Sequence, residues 1–262
     1  MRFALINNKR VEAEPNLTGI CAGCGMQVIA KCGTQRIHHW AHRSKVCDPW
    51  WEPETEWHRN WKSNFPLEWQ EVILKDDQTG EKHIADVRTA NGLVIEFQHS
   101  AISPLVRSSR EAFYRNMIWV VDGTRLKREH QRFLLAKDQF FEISQNSFLP
   151  GDPGHCLPKA WLASPVPVVF DFRSDLWLSG SFMIRDHLYC LFPVSIGQSV
   201  LLEKIPVKNF IDDALNGKSP LRLRSYLNDK SKFLINLQNQ LAMLQQMPQR
   251  RSTVNFPPLI FK

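Results

Sequence analysis

The chain has 262 residues, is 43% hydrophobic by composition, and carries 33 Lys/Arg against 26 Asp/Glu for a formal net charge of +7. That length and apolar content support a sizeable core, as two domains or as one with appendages, and the basic balance admits nucleic acid as a partner. Charges at Arg2, Lys9, Arg10, Glu12 and Glu14 interrupt the first twenty residues, and no apolar run reaches membrane-spanning length, so the sequence reads as cytoplasmic, with no membrane partner.

Residues 2–13 hold two short strand-like runs around Asn7-Asn8, the pattern of a hairpin. In a reducing compartment the six cysteines are expected as thiols, and their spacing then points to metal rather than to disulfides. Cys21-x-x-Cys24 is followed by His39-x-x-His42, and thiolate and imidazole are the ligands that tetrahedral Zn²⁺ takes. Cys21, Cys24, His39 and His42 are therefore the candidate ligands of a closed, structural zinc site, with Cys32, Cys47 and His38 as rivals. The bland alternative is that some of these cysteines are small buried hydrophobes. A zinc-binding module over residues 1–49 is expected.

A core over residues 50–145 follows. PETEWHRNWKSNF has Pro53 to start a helix that carries Glu54, His58 and Lys62 along one line and Trp57, Trp61 and Phe65 along a second, core-facing one. Trp50 and Trp51, in the preceding linker, are left open between core and base stacking. Glu68–Leu74 reads as a strand. Ile84–Arg88 and Leu93–Gln98 alternate with period two around Thr-Ala-Asn-Gly, which predicts a hairpin. Asp86, Arg88, Val94, Glu96 and Gln98 fall on one face; Ala85, Val87, Ile95 and Phe97 fall on the other. A three-residue Ala90-Asn91-Gly92 loop sets Asp86 opposite Glu96, whereas a two-residue turn separates them; glycine at the loop's end favours the first. Two carboxylates about 5 Å apart repel unless they share a proton or a cation, so the pair reads as a metal-dependent nuclease centre. Ser103-Pro104 predicts a helix through about Asn116 with Arg107, Arg110 and Tyr114 on one face, the candidate phosphate contacts. MIWVVDG then reads as a strand buried on both faces. His83 and His99 are set aside as satisfied, partly buried histidines.

QFFEISQNSFLPGDPGHCLP passes into a Pro/Gly-rich connector, and a C-terminal α+β unit is expected over residues 157–262. It holds the strand-like VPVVFDF, LYCLFP and SVLLEKIPV and an amphipathic helix over residues 229–247 with Phe233, Leu237, Leu241 and Leu244 on one side. Cys156 and Cys190 read as buried thiols, and no role is legible for this unit. The chain lacks a phosphate-binding GxxxxGK[ST] loop, so any coupling to ATP is expected through a separate ATPase or helicase.

The run Glu54-Thr55-x-x-His58-x-x-x-Lys62, then Ala85-Asp86-Val87, then Ile95-Glu96-Phe97-Gln98-x-Ser100-x-Ile102-Ser103, then Arg110-x-x-x-Tyr114 and Trp119, resembles the CoiA-like competence proteins, as does the preceding Cys/His stretch. The resemblance covers roughly residues 1–125. It implies the PD-(D/E)XK nuclease superfamily, whose core is a mixed sheet flanked by helices in the order α-β-β-β-α-β, here between a zinc-binding module and a C-terminal α+β extension. It further implies DNA as partner, a recombination or antiphage-defence setting with a possible partner protein, and Mg²⁺ or Mn²⁺ on Asp86 and Glu96. The catalytic set would be Asp86, Glu96, Gln98, Glu54, His58 and Lys62. Gln98 stands where many superfamily members have lysine. The attacking water would then be activated by the metal alone or with Lys62 as the missing cation; in a second reading the protein binds DNA as a non-cleaving accessory.

Overall fold

The computed structural model describes residues 1–43, 47–50, 52–173, 186–216 and 229–246. The chain divides into two compact units, residues 1–117 and 118–262. The division falls inside the strand MIWVVD, not in the Pro/Gly-rich stretch near residue 150. That stretch is itself built into short elements, Ser147–Leu149 and Pro153–Cys156.

The first unit opens with an antiparallel sheet of five strands in the order β2-β1-β3-β4-β5: β1 Phe3–Ile6, β2 Lys9–Glu12, β3 Thr18–Ile20, β4 Gln27–Lys31 and β5 His39–His42. Asn7 and Asn8, at φ +50° and +62°, make the two-residue turn between β1 and β2, with Ile6 opposite Lys9. Asparagine tolerates this left-handed geometry, and its twist matches that of the flanking strands. Trp40, fully buried, anchors a small core with Ala4, Ala13, Cys21 and Val28, and its indole N–H donates to the Val11 carbonyl (2.9 Å).

Helix α1 spans Glu56–Lys62, starting later than Pro53 suggests, because Thr55 caps it. The His58 imidazole reaches back to the Thr55 hydroxyl (2.9 Å), in the manner of a capping box. Trp61 and Phe65 are buried, and the Trp61 ring stacks on Phe97 at 5.7 Å, fixing α1 over the strands that follow. Those are β6 Gln70–Lys75, β7 Lys82–Arg88 and β8 Val94–Gln98, paired antiparallel in that order.

Val87 faces Ile95 and Arg88 faces Val94, so the next pair in register is Asp86 with Glu96. Thr89 and Leu93 close the loop (Thr89 N to Leu93 O, 2.9 Å), leaving Ala90, Asn91 and Gly92 as its three residues, with Gly92 at φ +81°. Ala85, Val87, Ile95 and Phe97 are buried. Helix α2 spans Pro104–Tyr114, capped by the Ser103 hydroxyl, and stops at Arg115 in a left-handed conformation, before Asn116. The strand β9, Met117–Asp122, completes the order α-β-β-β-α-β.

In the second unit, β12 (Val168–Asp171) runs parallel to β9 and antiparallel to β13 (His187–Ile196). The sheet continues through β14 (Ser199–Pro206), β11 (Ser147–Leu149) and β10 (Phe141–Ser144). Helices α3 Lys127–Ala136, α4 Pro153–Cys156, α5 Val207–Asn216 and α6 Lys230–Gln246 accompany it. Phe233, Leu237 and Leu241 of α6 are buried, and Phe233 stacks on Phe192 of β13 (5.3 Å), so this stripe packs on the unit's own sheet. The Leu244 side chain lies outside the described residues, as does Trp51. Among the described residues no helix is long and apolar enough to cross a membrane.

Candidate metal centre and acidic cleft

Two ligand clusters stand in the first unit. In one, Cys21, Cys24, His42 and Cys47 bring a ligand atom each to within 4.8 Å of one another. Cys21 Sγ lies 3.7 Å from Cys47 Sγ, and Cys24 Sγ lies 3.2 Å from His42 Nε2. A tetrahedron with Zn–S bonds of about 2.3 Å has edges of about 3.8 Å, so the donors and spacings fit a structural zinc. Burial, then the neighbouring Cys21, pushes the Cys47 thiol up to about 12. A cation would relieve that crowding by taking the groups as thiolates.

His39, expected as a ligand, is not in this set. Residues three apart on a strand point to opposite faces, so β5 can aim only one of His39 and His42 at the cluster. His42 shares the inward face with Trp40, while His39 Nδ1 bonds the Ile37 carbonyl (2.9 Å). Cys47 fills the fourth place. Cys32 packs against the module's core, outside the set.

The second cluster is a cleft lined by Glu54, His58 and Lys62 from α1 and its approach, Glu71 from β6, Asp86 from β7, Glu96 from β8 and Arg110 from α2, together with Asp48, Trp50 and Glu52. Asp86 N donates to Glu96 Oε1 (3.1 Å), and Phe97 N donates to Asp86 Oδ2 (3.0 Å). The two carboxyl groups thus interlock across the hairpin. Burial, and next the charge of Asp86, raises Glu96 to about 8, with Arg110 (3.2 Å) opposing the shift. This is the behaviour of two carboxyl groups held close together in a buried site, where one favours its protonated form.

Lys62, 3% exposed, points its ammonium at Glu54 (2.5 Å), Glu71 (3.2 Å) and Asp86 (3.7 Å). Burial alone would lower its pKa; Glu71, Asp86 and Glu54 together overcome this and raise it. In return, Glu71, which burial would push up, is held down at about 2 by Lys62 and by the backbone N–H groups of Arg2 and Phe3. Burial likewise opposes the ionisation of Glu54, but Lys62 and Arg59 prevail and keep its pKa low. Burial, opposed by Asp86, lowers the pKa of His58, and its Nδ1 is engaged with Thr55.

Glu71, Glu52 and Asp48 were not legible as site residues. Glu71 adopts φ +47°, a left-handed conformation that is strained for a residue with a Cβ, between Gln70 opposite Val87 and Val72 opposite Ala85. Its place beside Asp86 follows only from the β6–β7 register.

Gln98 is fixed elsewhere. Its amide nitrogen donates to both oxygens of Glu52 (2.9 and 3.0 Å), a residue at the edge of the cleft, and to Ser100. Arg107, Arg110 and Tyr114 share a face as expected, but that face is buried, at 6%, 6% and 8% exposure. Arg107 pairs with Glu111 (3.3 Å), while Arg110 pairs with Glu96 and donates to the Trp50 carbonyl (2.6 Å). These three are interior groups, of which Arg110 lines the cleft, and their burial speaks against surface contacts with phosphate. Their polar character suggested solvent, and buried acids account for it instead.

Residues 7–48 match the family model of the competence protein CoiA N-terminal domain, the segment that contains Cys21, Cys24, His42 and Cys47. The resemblance of the sequence to the CoiA-like competence proteins therefore holds over this segment. No curated protein and no solved structure matches the chain.

Proposed function

We propose, from the premise of a CoiA-like N-terminal segment, that the chain is a metal-dependent deoxyribonuclease of PD-(D/E)XK type serving DNA uptake, recombination or defence against foreign DNA. The observation that carries this reading is the opposition of Asp86 to Glu96 across β7 and β8, with Lys62 brought to the same cleft from α1. The element order from α1 to β9 is the order expected of that nuclease core.

Asp86 and Glu96, joined by the Phe97 carbonyl, would hold Mg²⁺ or Mn²⁺, which supplies polarisation of the scissile phosphate and activation of the attacking water. Lys62, its pKa raised, stays protonated, so it acts as a fixed positive charge toward the developing phosphorane and not as a base. Glu54 and Glu71 keep that ammonium in place. Arg110 holds the outer edge of Glu96, leaving the inner edge toward Asp86.

The non-cleaving alternative draws on Gln98, which offers no charge and is bonded to Glu52. Incubating linear, circular and single-stranded DNA with Mg²⁺ and with Mn²⁺ decides between them. Cleavage by the wild type and none by Glu96→Ala, with DNA binding retained, is the expected result. Binding without cleavage across metals and DNA forms establishes the accessory role.

A further inference from the structure

The segment after Cys47 does more than connect. Asp48, 6% exposed, places Oδ1 on His83 Nδ1 (2.9 Å) and accepts the Ile84 N–H on Oδ2 (2.9 Å), two residues ahead of Asp86 on β7. Trp50 stacks on His83 (3.2 Å between centroids, 9° between planes), and its carbonyl takes the Arg110 guanidinium that also holds Glu96. Glu52 accepts the Gln98 amide at the end of β8. Beginning at the Cys/His cluster, the segment thus touches β7, α2 and β8 in turn.

A second tie runs from the other side of the same module. Glu71 accepts the backbone N–H groups of Arg2 (2.7 and 2.9 Å) and Phe3 (3.2 Å), at the start of β1, with the carboxylate that pairs with Lys62. β1 belongs to the sheet that also contains β5, the strand carrying His42.

We infer that the Cys21–Cys24–His42–Cys47 cluster, when it holds zinc, sets the geometry of the acidic cleft, with Asp48 and Glu71 as the positioning residues that transmit it. The inference rests on the zinc reading of the cluster and deepens the nuclease reading of the cleft. Cys47 is bonded in sequence to Asp48, so release of the cluster frees the residue that orders β7 beside Asp86. The acceptor of the Ile84 N–H, one of the two partners of the His83 ring and, through Trp50, a partner of Arg110 are then lost together.

Amide hydrogen exchange on the full chain, with zinc and after chelation, reads the coupling directly, and Mn²⁺ binding followed by electron paramagnetic resonance reads the cleft. Chelation should speed exchange over residues 82–88 and 1–5 and weaken Mn²⁺ binding about tenfold or more, the scale of lost support around a metal ligand. Asp48→Asn, which turns an amide N–H toward a group that needs an acceptor, should keep one zinc per chain and still reproduce the faster exchange at 82–88 and the weaker Mn²⁺ binding. A zinc-loaded Asp48→Asn protein indistinguishable from wild type in both readouts overturns the inference, as does a chain that takes up no zinc. If wild-type protein binds no Mn²⁺ in either state, the nuclease reading fails, and the exchange comparison still decides the coupling.

Discussion

The Cys/His cluster and the acidic cleft lie in one unit, yet they meet their charge in opposite ways. The cluster gathers three thiols and an imidazole with no positive charge among them, and burial beside Cys21 drives Cys47 toward its neutral form. The cleft gathers carboxylates but brings Lys62, Arg59 and Arg110 with it, so Glu54 and Glu71 are held ionised from within, while Glu96 beside Asp86 stays raised despite Arg110. The first cluster therefore has no neutralising charge of its own and would take it from a bound zinc, whereas the second carries most of its neutralising charge on the protein's own side chains.

The contrast breaks most visibly at the cluster. Cys21→Ser should abolish zinc retention and unfold the first fifty residues, seen as loss of zinc by elemental analysis and loss of exchange protection in β1–β5; retained protection would mean that the sheet stands on Trp40 and its neighbours alone. Lys62→Met tests the internal cation. It leaves Glu54, Glu71 and Asp86 crowded without their partner and should cost about 3–5 kcal/mol in denaturant unfolding, because breaking a buried pair strands the remaining charge. A loss under about 1 kcal/mol would show that the carboxylates are hydrated or protonated instead.

The pH dependence sharpens the comparison at the Asp86–Glu96 pair. Glu96 is raised to about 8, so between its ordinary value and about 8 the folded protein holds a proton that the unfolded chain has released. Stability due to this group is fully present below the lower limit and is lost as pH rises through that window. Mn²⁺ should flatten the slope, since it takes the proton's place, and Glu96→Gln should remove the slope with or without metal. A metal-independent slope in wild type would place the titrating group elsewhere. The smallest effect is at the hairpin loop, where Gly92→Ala meets φ +81° and should cost about 1 kcal/mol without altering zinc content.

The hairpin was legible because loop length, a terminal glycine and two alternating strands all select one register, and a single register decides whether Asp86 meets Glu96. The N-terminal hairpin at Asn7-Asn8 and the Ser103 cap were legible for similar local reasons. The fourth ligand was not. Counting His-x-x-His as a pair assumes a helix or a loop, whereas β5 is a strand that splits His39 from His42, and Cys47, just beyond β5, comes without a spacing motif of its own. Charge misled on α2, where Arg107 and Arg110 resemble a solvated face until Glu111 and Glu96 are seen beneath them. Glu71, Asp48 and Glu52 depend on strand register and on a crossing segment, neither of which leaves a periodic mark in the sequence.

Glu71 stands at a backbone conformation that glycine or asparagine would occupy with less strain. Replacing it with either would relieve that strain locally, but Lys62 would lose a buried partner and the Arg2 and Phe3 N–H groups their acceptor, so the strain is held in place by contacts that reach outside β6. In a mutational survey, position 71 should accordingly stay restricted to an acidic side chain even when survivors are chosen for solubility alone, against what its backbone conformation by itself would favour.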